Sequence, residues 1–214
     1  MTGRILAIGD VHGCNRRLRR LLDRIEVDPH ADTLVFVGDY LDRGPDVRGT
    51  IDTLKELKKT CSNVICLRGN HEAMFLDFYR GGRGEALFLY NSGMSTLDSY
   101  GITLAEARSG GGFPENDLRF LDSLPHFYET GEYFFVHAGV RPGILLSEQS
   151  PEDLLWIRHE FIESDENFGR TVVFGHTPLP EPLIEKNKIG IDTGAVYGGR
   201  LTCIELPSRK IYQM

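Results

Sequence analysis

The chain has 214 residues, with 24 Lys and Arg against 31 Asp and Glu, a formal net charge of −7. Hydrophobic residues make up 41% and charged residues 26%, ordinary globular values that exclude a disordered tail, a collagen-like repeat and a disulfide mini-scaffold. No apolar run approaches the roughly 20 residues that cross a bilayer, the apolar stretch from Ile5 to Ile8 is too short for a signal peptide, and the acidic balance counts against general nucleic-acid binding.

The length suits one domain, and the expectation is a cytoplasmic protein. Ile5 to Ile8 reads as a strand ending at Gly9. Leu18, Leu21, Leu22 and Ile25 then fall on one helix face. Leu34 to Val37 is a second strand, ending at Gly38. Val47, Ile51 and Leu54 return to helical spacing, with Lys55, Lys58 and Lys59 toward the end, where cations suit the helix dipole. Val64 to Leu67 is a third strand. This β-α-β-α-β alternation predicts an α/β sheet. Residues 85–129 are looser: Leu87, Phe88, Tyr90, Met94 and Leu97 suggest helix, Ser109 to Gly112 a flexible loop, and the whole an insertion covering the sheet. Strands return at 133–136, 171–174, 189–191 and 201–206, with a helix predicted over 153–161. The four cysteines, Cys14, Cys61, Cys66 and Cys203, form no CxxC pair and read as reduced thiols.

Five apolar runs end directly in polar motifs: Gly9-Asp10-Val11-His12-Gly13, Gly38-Asp39-Tyr40-Leu41-Asp42-Arg43-Gly44, Arg68-Gly69-Asn70-His71-Glu72, Val136-His137-Ala138-Gly139 and Gly175-His176-Thr177. Sites in open α/β sheets form beyond the carboxyl ends of strands, so these segments are expected to converge. Asp10, His12, Asp39, Asn70, His137 and His176 offer carboxylate, imidazole and amide oxygen without sulfur, a set suited to Mn, Fe or Zn. Six side chains exceed what one ion with an open position needs, and two ions sharing a carboxylate fit better. Metal charge also reverses the local sign, so the acidic chain remains compatible with a phosphorylated substrate. The glycines before Asp10, Asp39, Asn70 and His176 are expected to supply the backbone freedom for a sharp turn.

GDVHG, GDYLDRG, RGNHE, VHAG and GH resemble the signature of the metal-dependent phosphoprotein phosphatases, and in particular small bacterial members similar to the bacteriophage lambda phosphatase. The likeness runs from about Ile5 to Leu206. It implies a calcineurin-like two-sheet α/β sandwich flanked by helices. It implies one ion held by Asp10 and His12, with Asp39 bridging, and a second held by Asn70, His137 and His176, with Mn expected and Fe or Zn as alternatives. It makes His71 the general acid, Asp42 its orienting carboxylate and Arg43 a phosphate-binding arginine. The second such arginine is read as Arg158, from a Trp-x-Arg context. The implied reaction is direct attack on phosphorus by a hydroxide shared between the metals, with no phosphoenzyme. The substrate expected is a phosphorylated protein or peptide.

Glu72 is expected to orient neighbouring backbone or side chains and not to bind metal. His30, His126 and His159 lie outside the motifs and read as a surface turn, a loop and a solvated helix face. Cys14 opens a helix and reads as packing. Tyr197 reads equally as a cleft residue or an aromatic in a glycine-rich turn. Asn91-Ser92-Gly93 stands where relatives often have Asn-Gly-Gly, and Phe174 stands where some have His, so no seventh ligand is expected. Three rivals remain: a dinucleoside polyphosphate hydrolase, for which the chain is short; a nuclease or phosphodiesterase; and a non-catalytic phosphoprotein-binding module.

Overall fold

The computed structural model describes residues 3–214. Its first half contains strands β1 (Ile5–Ile8), β2 (Thr33–Phe36) and β3 (Asn63–Cys66), separated by helices α1 (Asn15–Ile25) and α2 (Val47–Thr60). Helix α3 (Asn70–Gly81) follows, then four short helices, α4 (Glu85–Tyr90), α5 (Met94–Tyr100), α6 (Leu104–Arg108) and α7 (Glu115–Asp122). The second half runs β4 (Phe127–Thr130), β5 (Tyr133–Val136), α8 (Pro151–Trp156), α9 (His159–Ile162) and β6 (Thr171–Phe174). It finishes with β7 (Leu183–Ile184), β8 (Lys188–Gly190), β9 (Asp192–Thr193), β10 (Arg200–Leu206) and β11 (Lys210–Gln213).

One sheet has the order β11-β10-β1-β2-β3, with β9 paired to β10, and the other has the order β4-β5-β6-β8-β7. The pairs β1–β2, β2–β3, β5–β6 and β6–β8 are parallel, and β1–β10, β10–β11, β4–β5 and β7–β8 are antiparallel. Side-chain alternation builds the layers. Ala7, Val35, Phe135 and Val173 point into a core shared by both sheets. Their neighbours Leu6, Ile8, Leu34 and Phe36 face a helical layer with Leu18, Leu21, Ile51 and Leu54. On the other outer face, Phe134, Val136, Val172 and Phe174 pack with Leu154, Ile157 and Phe161. Strands covered on both faces read as unbroken apolar runs, which is why these segments stand out in the sequence.

Register sets the position of the site. Ile8 pairs with Phe36, and Phe36 with Cys66, so the loops after β1, β2 and β3 leave from one level. In the second sheet Phe135 pairs with Val173, and Phe174 with Gly190. The motif loops of both sheets therefore open at a common edge.

The helix predicted over 153–161 is two short helices, with Ile157 and Arg158 at the break. The cause is tertiary: Ala138 N–H, in the loop after β5, donates to Leu154 O at 2.9 Å. A continuous helix would give that carbonyl to the Arg158 N–H. No helix among the described residues is long and apolar enough to cross a membrane.

Candidate active site

The motif loops are tied to one another before any side-chain chemistry is considered. Val11 and His12 N–H groups donate to Asp39 O at 3.1 and 2.8 Å, and Gly175 N–H donates to His137 O at 2.8 Å. Glu72 sits buried beneath them. Its carboxylate accepts the N–H groups of Gly69 (2.8 Å), Asp39 (2.9 Å), Tyr40 (2.8 Å) and Leu41 (3.1 Å). Burial and the nearby Asp39 carboxylate push Glu72 up to about 7, against the pull of those N–H donors.

Backbone strain falls on the functional side chains more than on the glycines before them. His12, Asp39, Asp42, Arg43 and His176 have φ of 43°, 54°, 65°, 68° and 64°, a region costly for non-glycine residues and concentrated at functional sites. Of the four glycines expected to turn the chain, only Gly38 has a positive φ, 111°. Gly175 is needed for close approach, since a Cβ there would lie 2.0 Å from Asp10 Oδ1.

Asp10, His12, Asp39, Asn70, His137 and His176 are all buried. His12 Nδ1 lies 2.7 Å from Leu41 O, and His137 Nδ1 lies 2.9 Å from Val37 O. A carbonyl only accepts, so both Nδ1 atoms carry a proton, and each ring turns its Nε2 into the cluster. Each Nε2 lies 3.3 Å from an Asp39 oxygen, Oδ2 for His12 and Oδ1 for His137. Imidazole nitrogens thus flank one carboxylate on both of its sides, an arrangement that suits a cation on each side once both Nε2 atoms are deprotonated. Asn70 Oδ1 lies 2.9 Å from His137 Nε2 and 3.1 Å from His176 Nδ1. Asp10 Oδ1 and His176 Nε2 are buried without a hydrogen-bond partner. Two groups with ligand atoms within 4.8 Å of one another emerge, His12-Asp39-His71 and Asp39-His137-His176, and Asp39 is common to both. The donor chemistry fits a pair of divalent ions.

Burial acts to lower His12, but Asp39 outweighs it and raises the imidazole. Burial, then Asp192 and Asp39, push the Asp10 carboxyl well above its usual range. Burial acts to raise Asp39 as well, but His137, His71 and His12 outweigh it and hold Asp39 well below that range. Burial pushes His176 down to about 2, helped by His137, so it stays neutral and able to ligate.

His71 is buried, with Nδ1 2.6 Å from Asp42 Oδ2. Its Nε2 is without a hydrogen-bond partner and lies 3.9 Å from Asp39 Oδ2. The pocket therefore brings His71 to His12 and Asp39, while Asp10 reaches the cluster by accepting the His176 N–H at 3.0 Å through Oδ2. Arg43 Nη1 is 2.5 Å from His12 Nε2, and its guanidinium lies 5.4 Å from the Tyr197 ring. Arg158 is exposed in the break between α8 and α9, and Nη1 reaches Thr177 Oγ1 at 3.4 Å. Trp156 stands edge-on to His176 at 6.1 Å. Tyr197 is 62% exposed and lines a cleft of about 480 Å³ with Arg43, Tyr90, Asn91, Ser92 and Val196.

Two residues at the site carry no strong sequence signal. Asp192 is buried, accepts the Gly194 N–H at 2.9 Å and adds to the negative charge around Asp10. Its place just beyond β8, another strand end at the same edge, is the signal that could have found it. Thr96, in α5, hydrogen-bonds Asp42. His30 is exposed, His126 is half-buried and His159 faces Glu163 at 3.7 Å; none joins the cluster. Burial pushes the Cys14 thiol up, against reactivity at the start of α1.

Comparison with known proteins identifies the family. A family model, calcineurin-like phosphoesterase, matches residues 3–203. Serine/threonine-protein phosphatase 1 of Salmonella typhimurium is 34% identical over 209 residues, covering 92% of this chain and 89% of that protein. An asymmetrical bis(5'-nucleosyl)-tetraphosphatase, PrpE, of Bacillus cereus is 27% identical over 233 residues, covering 94% and 89%. The chain spans the same share of both relatives, so the expectation that its length disfavours the nucleotide hydrolase does not hold. A crystal structure of a candidate diadenosine tetraphosphatase superposes with a TM-score of 0.78 at 26% identity, covering 100% of this chain and 94% of that one. The two-sheet α/β sandwich is the fold of this family, and the chain belongs to it: it is a calcineurin-like phosphoesterase, a hydrolase of the metallophosphoesterase type.

Proposed function

We propose that the protein is a phosphomonoesterase that removes phosphate from phosphoserine and phosphothreonine in proteins. The observation that carries this reading is the His71–Asp42 pair, 2.6 Å apart and buried, with His71 Nε2 turned toward the Asp39 cluster. A proton donor matters most when the departing oxygen is an alkoxide, the poorest of the leaving groups under consideration, and general acid catalysis contributes typically about 10²- to 10⁴-fold. The relative at 34% identity, a serine/threonine-protein phosphatase, supports the same substrate class.

Asp10, His12 and Asp39 would hold one divalent ion, and Asp39, Asn70, His137 and His176 the other, with Mn expected and Fe or Zn as alternatives. Such a pair supplies Lewis acidity and lowers the pKa of a water nearby. The chain's own residues do the rest. Arg43 and Arg158 bind phosphoryl oxygens, a task suited to a planar, permanently charged fork. Asp42 accepts the Nδ1–H of His71 and so fixes the ring with Nε2 toward the Asp39 cluster. As the P–O ester bond breaks, its electron pair leaves on oxygen, and that oxygen takes the Nε2 proton. Hydrolysis completes with the water oxygen bonded to phosphorus, and the proton that the water gives up restores the Nε2 proton of His71.

A second reading, hydrolysis of dinucleoside polyphosphates, is favoured by one feature. Tyr90 and Tyr197, 87% and 62% exposed, line the cleft beside Arg43, and exposed aromatic faces stack on nucleobases. Purified protein offered a phosphoserine peptide and diadenosine tetraphosphate side by side, with Mn, separates the two. Higher kcat/KM on the peptide is the expected result. Preference for the nucleotide replaces the first reading with the second.

A further inference from the structure

The Asp42–His71 pair has a third member, and it comes from the covering helices. Thr96 is completely buried in α5. Its hydroxyl makes two hydrogen bonds to one residue: it accepts the Asp42 N–H at 2.9 Å and donates to Asp42 Oδ1 at 2.5 Å. The other carboxylate oxygen, Oδ2, is the one that meets His71. A single hydroxyl thus holds both the backbone of Asp42, at its left-handed φ of 65°, and the rotation of its carboxylate. Thr96 is itself held. It is β-branched and stiff at χ1. The start of α5 is seated by Gly93, where a Cβ would lie 2.3 Å from the buried Phe88 ring. Its far end is joined to α2 by the Arg48 N–H, which donates to Ser99 Oγ at 3.0 Å.

We infer that Thr96 is a positioning residue for the reaction, through which the covering helices set the Asp42–His71 pair for proton delivery to an alkoxide leaving group. Without the hydroxyl, Asp42 keeps a buried N–H and a buried carboxylate oxygen that lack partners, and the carboxylate turns to satisfy them at the expense of His71. The inference rests on the phosphomonoesterase reading and gives α5 a part in the chemistry beyond cover.

The test compares two phosphomonoesters with Mn: a phosphoserine peptide, whose leaving group needs a proton, and p-nitrophenyl phosphate, whose leaving group does not. Thr96→Val keeps the shape and removes the hydroxyl. It is expected to lower kcat on the peptide by about 10- to 100-fold and on the aryl ester by less than about threefold, a fraction of what a whole general acid supplies. KM is expected to hold for both. Thr96→Ser restores the hydroxyl and is expected to bring peptide turnover back to within about threefold of the parent, since the retained donor and acceptor are the same. If the valine variant does not fold, Thr96→Ala replaces it in the same comparison. Equal losses on both esters, or no loss on the peptide, would overturn the inference while leaving the phosphomonoesterase reading in place. A parent protein that hydrolyses neither ester removes that reading, and this inference with it.

Discussion

The floor and the rim of the pocket are built by different means. The floor consists of Asp10, His12, Asp39, Asn70, His137 and His176, buried and carried on strand ends. Its loops are tied by Glu72 and by direct backbone bonds. The rim consists of Arg43, Arg158, Tyr90 and Tyr197, half-buried or exposed, on turns and at helix ends. A floor that must hold nitrogen and oxygen atoms in fixed array cannot adjust its backbone, whereas a rim that meets varied substrates can move its long side chains.

That comparison can be broken at several points. The largest effect is expected from Asp39→Asn, because one carboxylate faces both candidate ion positions. Loss of the several kcal/mol that Lewis acidity supplies corresponds to on the order of 10⁴-fold in turnover, read with a phosphoserine peptide. Next is His71→Asn, expected to cost about 10²- to 10⁴-fold while metal content is kept. A carboxylate-held imidazole also suits a metal ligand, so elemental analysis of this variant matters: loss of metal would move His71 from acid to ligand, where its place with His12 and Asp39 also allows it. Glu72→Gln tests the stiffness of the floor. It sets an amide NH₂ against N–H donors, and about 2–3 kcal/mol is expected from the unpaired groups. Thermal unfolding should show this as a Tm lower by roughly 4–12 °C for a chain of this size, and an unchanged Tm would mean that the loops do not depend on it. The rim shows the smallest effects. Arg43→Ala is expected to lower kcat/KM by about 10- to 100-fold, the worth of hydrogen bonds to a charged group, and Arg158→Ala by about tenfold or less, because it is exposed. Equal losses from the two would make the rim as fixed as the floor.

Legibility in the sequence followed the same division. Each floor residue lies one to four positions beyond an apolar run, so local pattern was enough to find it. The orienting role expected of Glu72 matches its hydrogen bonds. What escaped depends on contacts between distant segments. Thr96 is an ordinary threonine in a loosely patterned stretch, and its bond to Asp42 spans 54 positions. Lys188, just before the strand expected at 189–191, is fully buried, its ammonium on the carbonyls of Phe161, Ile162 and Ser164. The break at Arg158 follows from one hydrogen bond across from the loop after β5. The edge strands β4 and β11 were missed because their partly exposed faces give short, mixed patterns in place of unbroken apolar runs.

Asp39 is common to both candidate ligand groups, and it is proposed to serve two ions at once. Elemental analysis of the Mn-loaded parent and of Asp39→Asn, each after removal of free metal, tests it most directly. The account predicts two ions per chain in the parent and a loss at both positions in the variant. Two ions retained in the variant, or a parent that takes up none, would contradict it.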